Sequence, residues 1–458
     1  MREMLSESKI SRIIGSLYFI NLALYLLFGR PYSGLYFSSF RLGELLIGFF
    51  LLLNLLILFL PVKYLKTNIN YSNQIIYVYK LIILSFFIIL FINNGDITNL
   101  YSYKSSSYIW MTGALIFSSY LVENIFNKKM FFILIVFYLV YQFSTIHYPV
   151  SLISFFETYS DKFDFQKGSD LLIIYVVSVL FIQRNMQNKF TAFSIFLTSS
   201  SILLPLFLFK SKGAFLPAVI FIIYYLFLTR EIVTKQVMKT LAICFLSLVL
   251  FIVSTFEVYG NLNFKKMGMD GYNSQEELQQ LFTFQELDKG LTAITTEKNT
   301  DKFFLSFFIM DGRLYSREMM ANWRLEIWQD ILRDLNNESR FLTGYGYNEI
   351  IPAMDLVHRR GTDGTNENPH NFVFYILARG GLIQLLLFAA LYIQLIIFYY
   401  KKYKNFHILI FLIPILTTSL FDASMESIRF PLIFYSFLSY FMMYSVFGDN
   451  LSTMEKNE

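Results

Sequence analysis

Residues 382–400 read LIQLLLFAALYIQLIIFYY, a block without a single charge, and the chain then turns at once to Lys401, Lys402 and Lys404. A bilayer core about 30 Å thick is crossed by roughly 20 such residues in a helix, and basic residues collect at the cytoplasmic end of a span. The block therefore predicts a membrane-spanning helix that ends in the cytoplasm. Similar apolar blocks lie at roughly 13–28, 43–62, 74–93, 108–123, 130–146, 171–183, 190–209, 213–229, 237–256, 406–420 and 429–446. The block at 171–183 is short, and the one at 108–123 contains Gly113 and Ser118, so both are candidates for a tilted or broken helix. The expected fold is all-α, a polytopic membrane protein of about 12 transmembrane helices with a large, partly helical extracytoplasmic loop.

Composition agrees. Of 458 residues 55% are hydrophobic and 16% charged, with a mean hydropathy of +0.49, whereas soluble domains carry about 25% charge. A single cysteine, Cys244, excludes an intramolecular disulfide and a thiolate metal cluster. The four histidines, His147, His358, His370 and His407, lie far apart in sequence, so no short-spaced metal motif appears. The net charge of +5 gives no reason to invoke nucleic acid. The wealth of Phe and Tyr is explained by lipid-facing helices and an AT-rich codon bias, and it carries no functional reading.

Orientation follows from the loops. With the N-terminus inside, the inner connections hold Lys63, Lys66, Lys128, Lys129, Arg184, Lys189, Arg230, Lys235, Lys239, Lys401, Lys402 and Lys404. The short outer ones hold fewer, namely Arg30, Arg41, Lys104, Lys162, Lys167, Lys210, Lys212 and Arg429. Both termini are then cytoplasmic. Arg2, Lys9 and Arg12 precede the first block in the manner of a signal peptide, but no small-x-small cleavage site follows, so an uncleaved anchor is expected. Three regions result: N-terminal transmembrane helices at 1–256, a large extracytoplasmic loop at 257–371, and C-terminal transmembrane helices at 372–458.

The loop holds 12 Lys/Arg and 18 Asp/Glu, so it is no basic sheath. Its apolar run Phe303 to Met310 is too short to span and is expected on the membrane surface or under the loop. Met320, Ile327, Trp328, Ile331 and Leu335 recur at helical spacing, and Arg324 falls on the same apolar face, where it needs a partner. Gly344-Tyr345-Gly346 is expected to close that helical region, and residues 358–368 read as loop.

Three groups of residues could carry chemistry. In Asn368-Pro369-His370-Asn371, Asn368 suits an N-cap and Pro369 a first helical position, which would put His370 in the first turn of a helix. There the helix dipole attracts anions and favours the neutral imidazole that a general base needs. The plainer alternative is a histidine at an interfacial helix end. Phe372 to Leu377, followed by Arg379-Gly380-Gly381, suggests a short helix at the membrane surface joined to the true span through the glycines. In Lys210-Ser211-Lys212-Gly213, Lys212 opens a helix and could bind an anion; snorkelling to the interface explains Lys210 better and Lys212 equally well. The third group is Arg324 with Arg313, Arg317 and Arg333, guanidinium forks suited to phosphate; at least half of these are expected to pair with Asp311, Glu318, Asp330 and Asp334 instead.

On these residues the chain resembles the O-antigen ligase and polymerase family of bacterial membrane glycosyltransferases. The resemblance rests on Arg324-x-x-x-Trp328, Gly344-x-Gly346, His370-Asn371 and the glycine-containing helix start at 379–383, in that order, with Lys210-Ser-Lys-Gly-Ala214 standing where the family has Ser-Arg-Gly. It covers about 60 residues and one short turn. The resemblance implies glycan transfer from undecaprenyl pyrophosphate to an acceptor sugar hydroxyl at the outer side of the bacterial cytoplasmic membrane, without nucleotide sugar, metal or cofactor. It implies His370 as the catalytic residue and Arg324 and Lys212 as pyrophosphate ligands, with Asn371, Arg313, Arg317 and Lys210 as further candidates. The expected partners are an undecaprenyl-pyrophosphate-linked glycan, an acceptor glycan (lipid-linked or not) and membrane lipids. Lysine at 212 cannot make the planar bidentate contact of arginine, which marks a departure from the family pattern. A polymerase joining repeat units is preferred to a ligase acting on lipid A-core, because such departures are commoner among polymerases. A flippase-type transporter would carry ionisable groups at mid-span, whereas Glu44 and Lys80 lie near span ends. A non-catalytic scaffold would use the large loop as a binding surface.

Overall fold

A computed structural model describes residues 9–62, 65, 69, 71–125, 128–144, 150–160, 167–259, 307–316, 319–356, 359–360 and 366–448. Arg317, residues 303–306 and most of the 358–368 segment lie outside the described residues. Each apolar block of the sequence is occupied by helix. Six helices are long and apolar enough to cross a membrane: Leu42–Phe59, Asn73–Ile92, Gly168–Asn185, Lys189–Lys210, Val237–Val258 and Phe372–Tyr403. Shorter apolar helices fill Arg12–Phe28, Ser107–Val122, Phe131–Val140, Lys212–Leu228 and Leu409–Thr418, and Arg429–Met443 fills the last block.

The two blocks singled out as tilted or broken resolve differently. The block at 171–183 is part of an 18-residue helix, Gly168–Asn185, which is almost wholly buried and sits at the centre of the bundle. Its first turn contains Ser169 and Asp170, whose polarity hid it from an apolar window. The block at 108–123 is two pieces, with helix at Ser107–Trp110 and again at Gly113–Ile125. The break frees the Trp110 carbonyl, and buried Asn54 donates to it at 2.7 Å and to Phe50 O at 2.6 Å. A polar side chain thus closes an open backbone group where no water can. A Cβ at Gly113 would lie 2.8 Å from Asn54 Nδ2, so glycine is what admits that contact.

The fold is also not purely helical. Tyr36–Phe37 pairs with Phe40–Arg41, and Phe307–Met310 pairs antiparallel with Arg313–Ser316. The run expected to pack under the loop or lie on the membrane is, over 307–310, a strand with all four residues exposed.

The connections sort to two ends of the bundle. At one end Lys189 Nζ donates to Gln183 O at 2.8 Å, Lys402 Nζ donates to the carbonyls of Met442 and Met443 at 3.0 Å, and Lys80 Nζ donates to Leu58 O at 3.0 Å. At the other end Ser160 meets Pro31, Ser105 meets Tyr347, and Ser107 meets Glu426. Strict alternation of the apolar blocks predicts this partition.

The loop is locked to the second end through the helix start at 372–383. Tyr345 N donates to Ala378 O at 2.7 Å and Gly346 N to Arg379 O at 3.0 Å; Leu382 N donates in turn to Phe341 O at 2.9 Å. These bonds satisfy the carbonyls that end a short helical segment and an amide that begins the next, because the Phe372–Tyr403 helix is interrupted at Gly381, with φ 67° and ψ −172°. That conformation belongs to glycine. Gly344, not a helix terminator as the sequence suggests, lets the loop backbone lie on Arg379; a Cβ there would be 2.7 Å from the Ala378 oxygen. Buried Arg379 donates to Gly346 O at 3.4 Å and to Tyr101 Oη at 3.1 Å, and also to Glu349 O. Replacing Gly381 by alanine combines a forbidden dihedral with collision against Leu342 O and Thr343 N. It is expected to cost about 2–4 kcal/mol and to lower the thermal midpoint of the detergent-solubilised protein by several degrees; an unchanged midpoint would show that the interruption is dispensable.

Candidate active site

His370 stands immediately before this interrupted helix. The helix starts at Phe372, and the N-cap is Asn371, whose Oδ1 accepts from Val373 N at 2.9 Å and Phe374 N at 3.2 Å. The expected cap at Asn368 is therefore corrected, and Asn371 is a structural cap. The reason is backbone geometry. His370 has a left-handed φ of 52°, which a helix cannot continue, so helix can begin only after it. Trp328 Nε1 donates to Pro369 O at 2.8 Å, and the Trp323 ring meets the imidazole edge-on at a centroid distance of 5.3 Å. Both tryptophans belong to the Met319–Asn337 helix, which the apolar periodicity predicts and which carries Arg324 between them.

On the other side of the imidazole lies the 419–428 turn between the last two helices. Phe372 N donates to Ser419 O at 2.8 Å, fixing the turn against the helix start. Asp422 Oδ1 is 3.6 Å from His370 Nδ1, just beyond hydrogen-bond length, and Asp422 Oδ2 accepts from Ser169 Oγ at 2.6 Å. Burial opposes charge on Asp422, but His370, Lys167 and Ser169 together hold its carboxyl below the ordinary carboxylate range. For His370 burial is the largest influence and lowers the pKa; Asp422 works against it, and the cations Lys167 and Arg324 add to the lowering. The imidazole is thus biased toward its neutral form and faces the Asp422 carboxylate. Glu426, in the same turn, has neither carboxyl oxygen hydrogen-bonded among the described residues, and burial pushes it up to about 8, so it is a neutral acid at neutral pH.

Lys212 opens its helix directly after Ser211, and the next residue, Gly213, packs on the turn. A Cβ on Gly213 would be 2.9 Å from Phe421 Cβ, and Thr418 Oγ1 donates to Gly213 O at 3.1 Å. The turn that carries Asp422 therefore seats the start of the Lys212 helix. The tertiary fold brings His370, Arg324 and the start of the Lys212 helix to one end of the bundle. Lys210 ends the preceding helix, Lys189–Lys210. Arg313 is not in this group: its guanidinium pairs with Asp330 at 2.7 Å, and Arg333 and Arg359 share the same carboxylate at 2.9 and 2.6 Å. The shared carboxylate ties this part of the loop together, as expected for at least half of these arginines. Arg317 lies outside the described residues.

Sequence reasoning missed Asp422, Ser169 and Lys167. The available signal was weak: two carboxylates, Asp422 and Glu426, in a short turn between apolar spans.

Among the described residues no group of three or more His, Cys, Asp or Glu side chains could hold a metal ion. The arrangement can accept a proton on a neutral imidazole, stabilise the resulting cation with a carboxylate, and gather positive charge near an anionic leaving group. Residues 196–389 match a family model described as O-antigen ligase. That stretch contains Lys212, Arg324 and His370 and stops short of Lys167, Ser169 and Asp422 at either side. No curated protein matches the chain.

Proposed function

From the match of residues 196–389 to the O-antigen ligase family model, we propose that the protein transfers a glycan from undecaprenyl pyrophosphate to an acceptor sugar hydroxyl on the outer side of the bacterial cytoplasmic membrane. The observation that carries the reading is a largely buried His370 whose Nδ1 lies 3.6 Å from the Asp422 carboxylate at one end of a membrane bundle.

In this reading the Asp422 carboxylate, 3.6 Å from Nδ1, favours the tautomer that keeps its proton on Nδ1, which leaves Nε2 as the basic nitrogen. Nε2 removes the proton from the acceptor hydroxyl, and that oxygen bonds to the anomeric carbon of the donor sugar. The anomeric C–O bond to pyrophosphate breaks, and its electron pair leaves on the phosphate oxygen. Arg324 and Lys212 neutralise the charge that develops there, while Asp422 stabilises the imidazolium. Activated donor, positioned acceptor and one base suffice, so neither nucleotide sugar nor metal enters. The site-bearing end faces away from the cytoplasm because the lysine-rich connections lie at the opposite end.

A polymerase is preferred over a ligase. The test uses purified protein in vesicles with lipid-linked repeat units as the sole substrate, in EDTA. A polymerase yields a ladder of longer lipid-linked chains and releases undecaprenyl pyrophosphate. A ligase yields product only once lipid A-core is added. Absence of released undecaprenyl pyrophosphate in either case would remove glycan transfer as the function.

A further inference from the structure

We propose that Lys167 is a further phosphate-binding residue of the transfer site, seating the donor's phosphate together with Lys212; the inference rests on the glycan-transfer reading above. Its basis is how two helices begin. A Cβ on Gly168 would lie 2.8 Å from Ser211 Cβ and 3.0 Å from Ala214 Cβ. Only a residue without a side chain allows the starts of the Gly168–Asn185 and Lys212–Leu228 helices to touch in this way. Neither start is capped by a side chain: Lys167 and Ser211 occupy the N-cap positions without making a side-chain cap bond. Two sets of N-terminal amides, with their partial positive charge, thus converge, and each is flanked by a lysine, 167 on one side and 212 on the other.

The junction is part of the catalytic surroundings. Ser169, two residues beyond Lys167, donates to Asp422 Oδ2 at 2.6 Å, and the other oxygen of that carboxylate faces His370. Lys167 is partly exposed, and among the described residues no carboxylate lies within ion-pair distance of its ammonium. Its charge nonetheless acts on His370, Asp422 and Glu426 together.

Chemistry supplies the need. Breaking the glycosidic bond leaves an extra negative charge on pyrophosphate, and lysine at 212 offers one ammonium where arginine would offer a planar fork. A second ammonium from the adjoining helix start restores both charge and a second direction of contact. Lys167 lies outside residues 196–389, so the family match does not supply this residue.

The experiment compares full-length wild type, Lys167→Gln and Lys167→Arg in vesicles, with glycan-free undecaprenyl pyrophosphate as ligand and undecaprenol as the phosphate-free control. Lys167→Gln is expected to weaken undecaprenyl pyrophosphate binding by about tenfold, to leave undecaprenol binding unchanged and to raise the KM for the lipid-linked glycan by a similar factor. Lys167→Arg should retain binding, which separates lost charge from lost folding. The acid limb of the rate profile should also move to higher pH in Lys167→Gln, because a cation facing His370 is gone. Unchanged pyrophosphate binding in Lys167→Gln, or equal weakening of both lipids, overturns the assignment while leaving glycan transfer intact. Lys167-dependent pyrophosphate binding by a wild type that transfers no glycan would keep the anion site and remove the function.

Discussion

Replacing His370 with alanine is expected to lower glycan transfer by about 10²–10⁴-fold while leaving the protein inserted and monodisperse, because general-base catalysis contributes an effect of that size. His370 precedes the helix and caps nothing, and the N-cap bonds belong to Asn371, so its removal should not unwind the element behind it. The pH dependence has a defined sign. Burial, Lys167 and Arg324 depress the imidazole pKa and Asp422 only partly restores it. The active neutral form is therefore favoured, and the rate should fall only when the pH goes below the ordinary histidine range. Asp422→Asn removes the one restoring influence. It should push the acid limb still lower and slow the plateau rate, because the imidazolium formed in the reaction loses its counter-charge. The measurement is initial rate against pH for wild type, His370→Ala and Asp422→Asn. A His370→Ala variant that keeps more than a tenth of the wild-type rate would remove His370 as the base.

The second large effect concerns the ion pair beneath the site. Asp170 and Arg429 are almost wholly buried, with Arg429 Nε 2.8 Å from both carboxylate oxygens and Nη2 2.7 Å from Oδ2. The pair ties the first turn of the Gly168–Asn185 helix to the first turn of the Arg429–Met443 helix, and Ser169 and the Asp422 turn lie beside it. Deleting one partner leaves a buried charge uncompensated, which costs about 3–5 kcal/mol. Asp170→Leu and Arg429→Leu should each lose most folded protein, seen as a collapsed thermal midpoint in detergent. The double Leu variant should recover much of that loss, since an apolar replacement of both partners is often neutral. Its transfer rate should stay low, because the fork that sets the angle between the two helices is missing. Equal instability of the double and single variants would show that the pair is not coupled.

How far the sequence reaches can be judged from particular elements. The amphipathic period in 320–335 and the apolar blocks are local patterns, and they locate the helices to within a few residues. The start of the Gly168–Asn185 helix escaped because its first turn is polar, and that polarity is satisfied only by Asp422 and Arg429, more than 250 positions away. Asn368 looked a better cap than Asn371 because sequence does not reveal that His370 adopts a positive φ. That arginines of the loop pair with its carboxylates was legible from the charges, but only the fold decides that Arg313 and Arg333 share Asp330.

By itself, then, the sequence determined a many-helix membrane chain, the alternation that sorts its connections into two groups, and a histidine, an arginine and a lysine worth watching. Those are consequences of hydrophobicity and period, which neighbouring residues express without help. Only the tertiary structure decided that the Asp422 turn meets His370, that Gly168 lets two helix starts touch and that Arg379 binds the Gly344–Gly346 backbone. Each of these joins segments distant along the chain. Such contacts depend on packing and on the need to pair every buried polar group, and those conditions exist only once the helices have assembled.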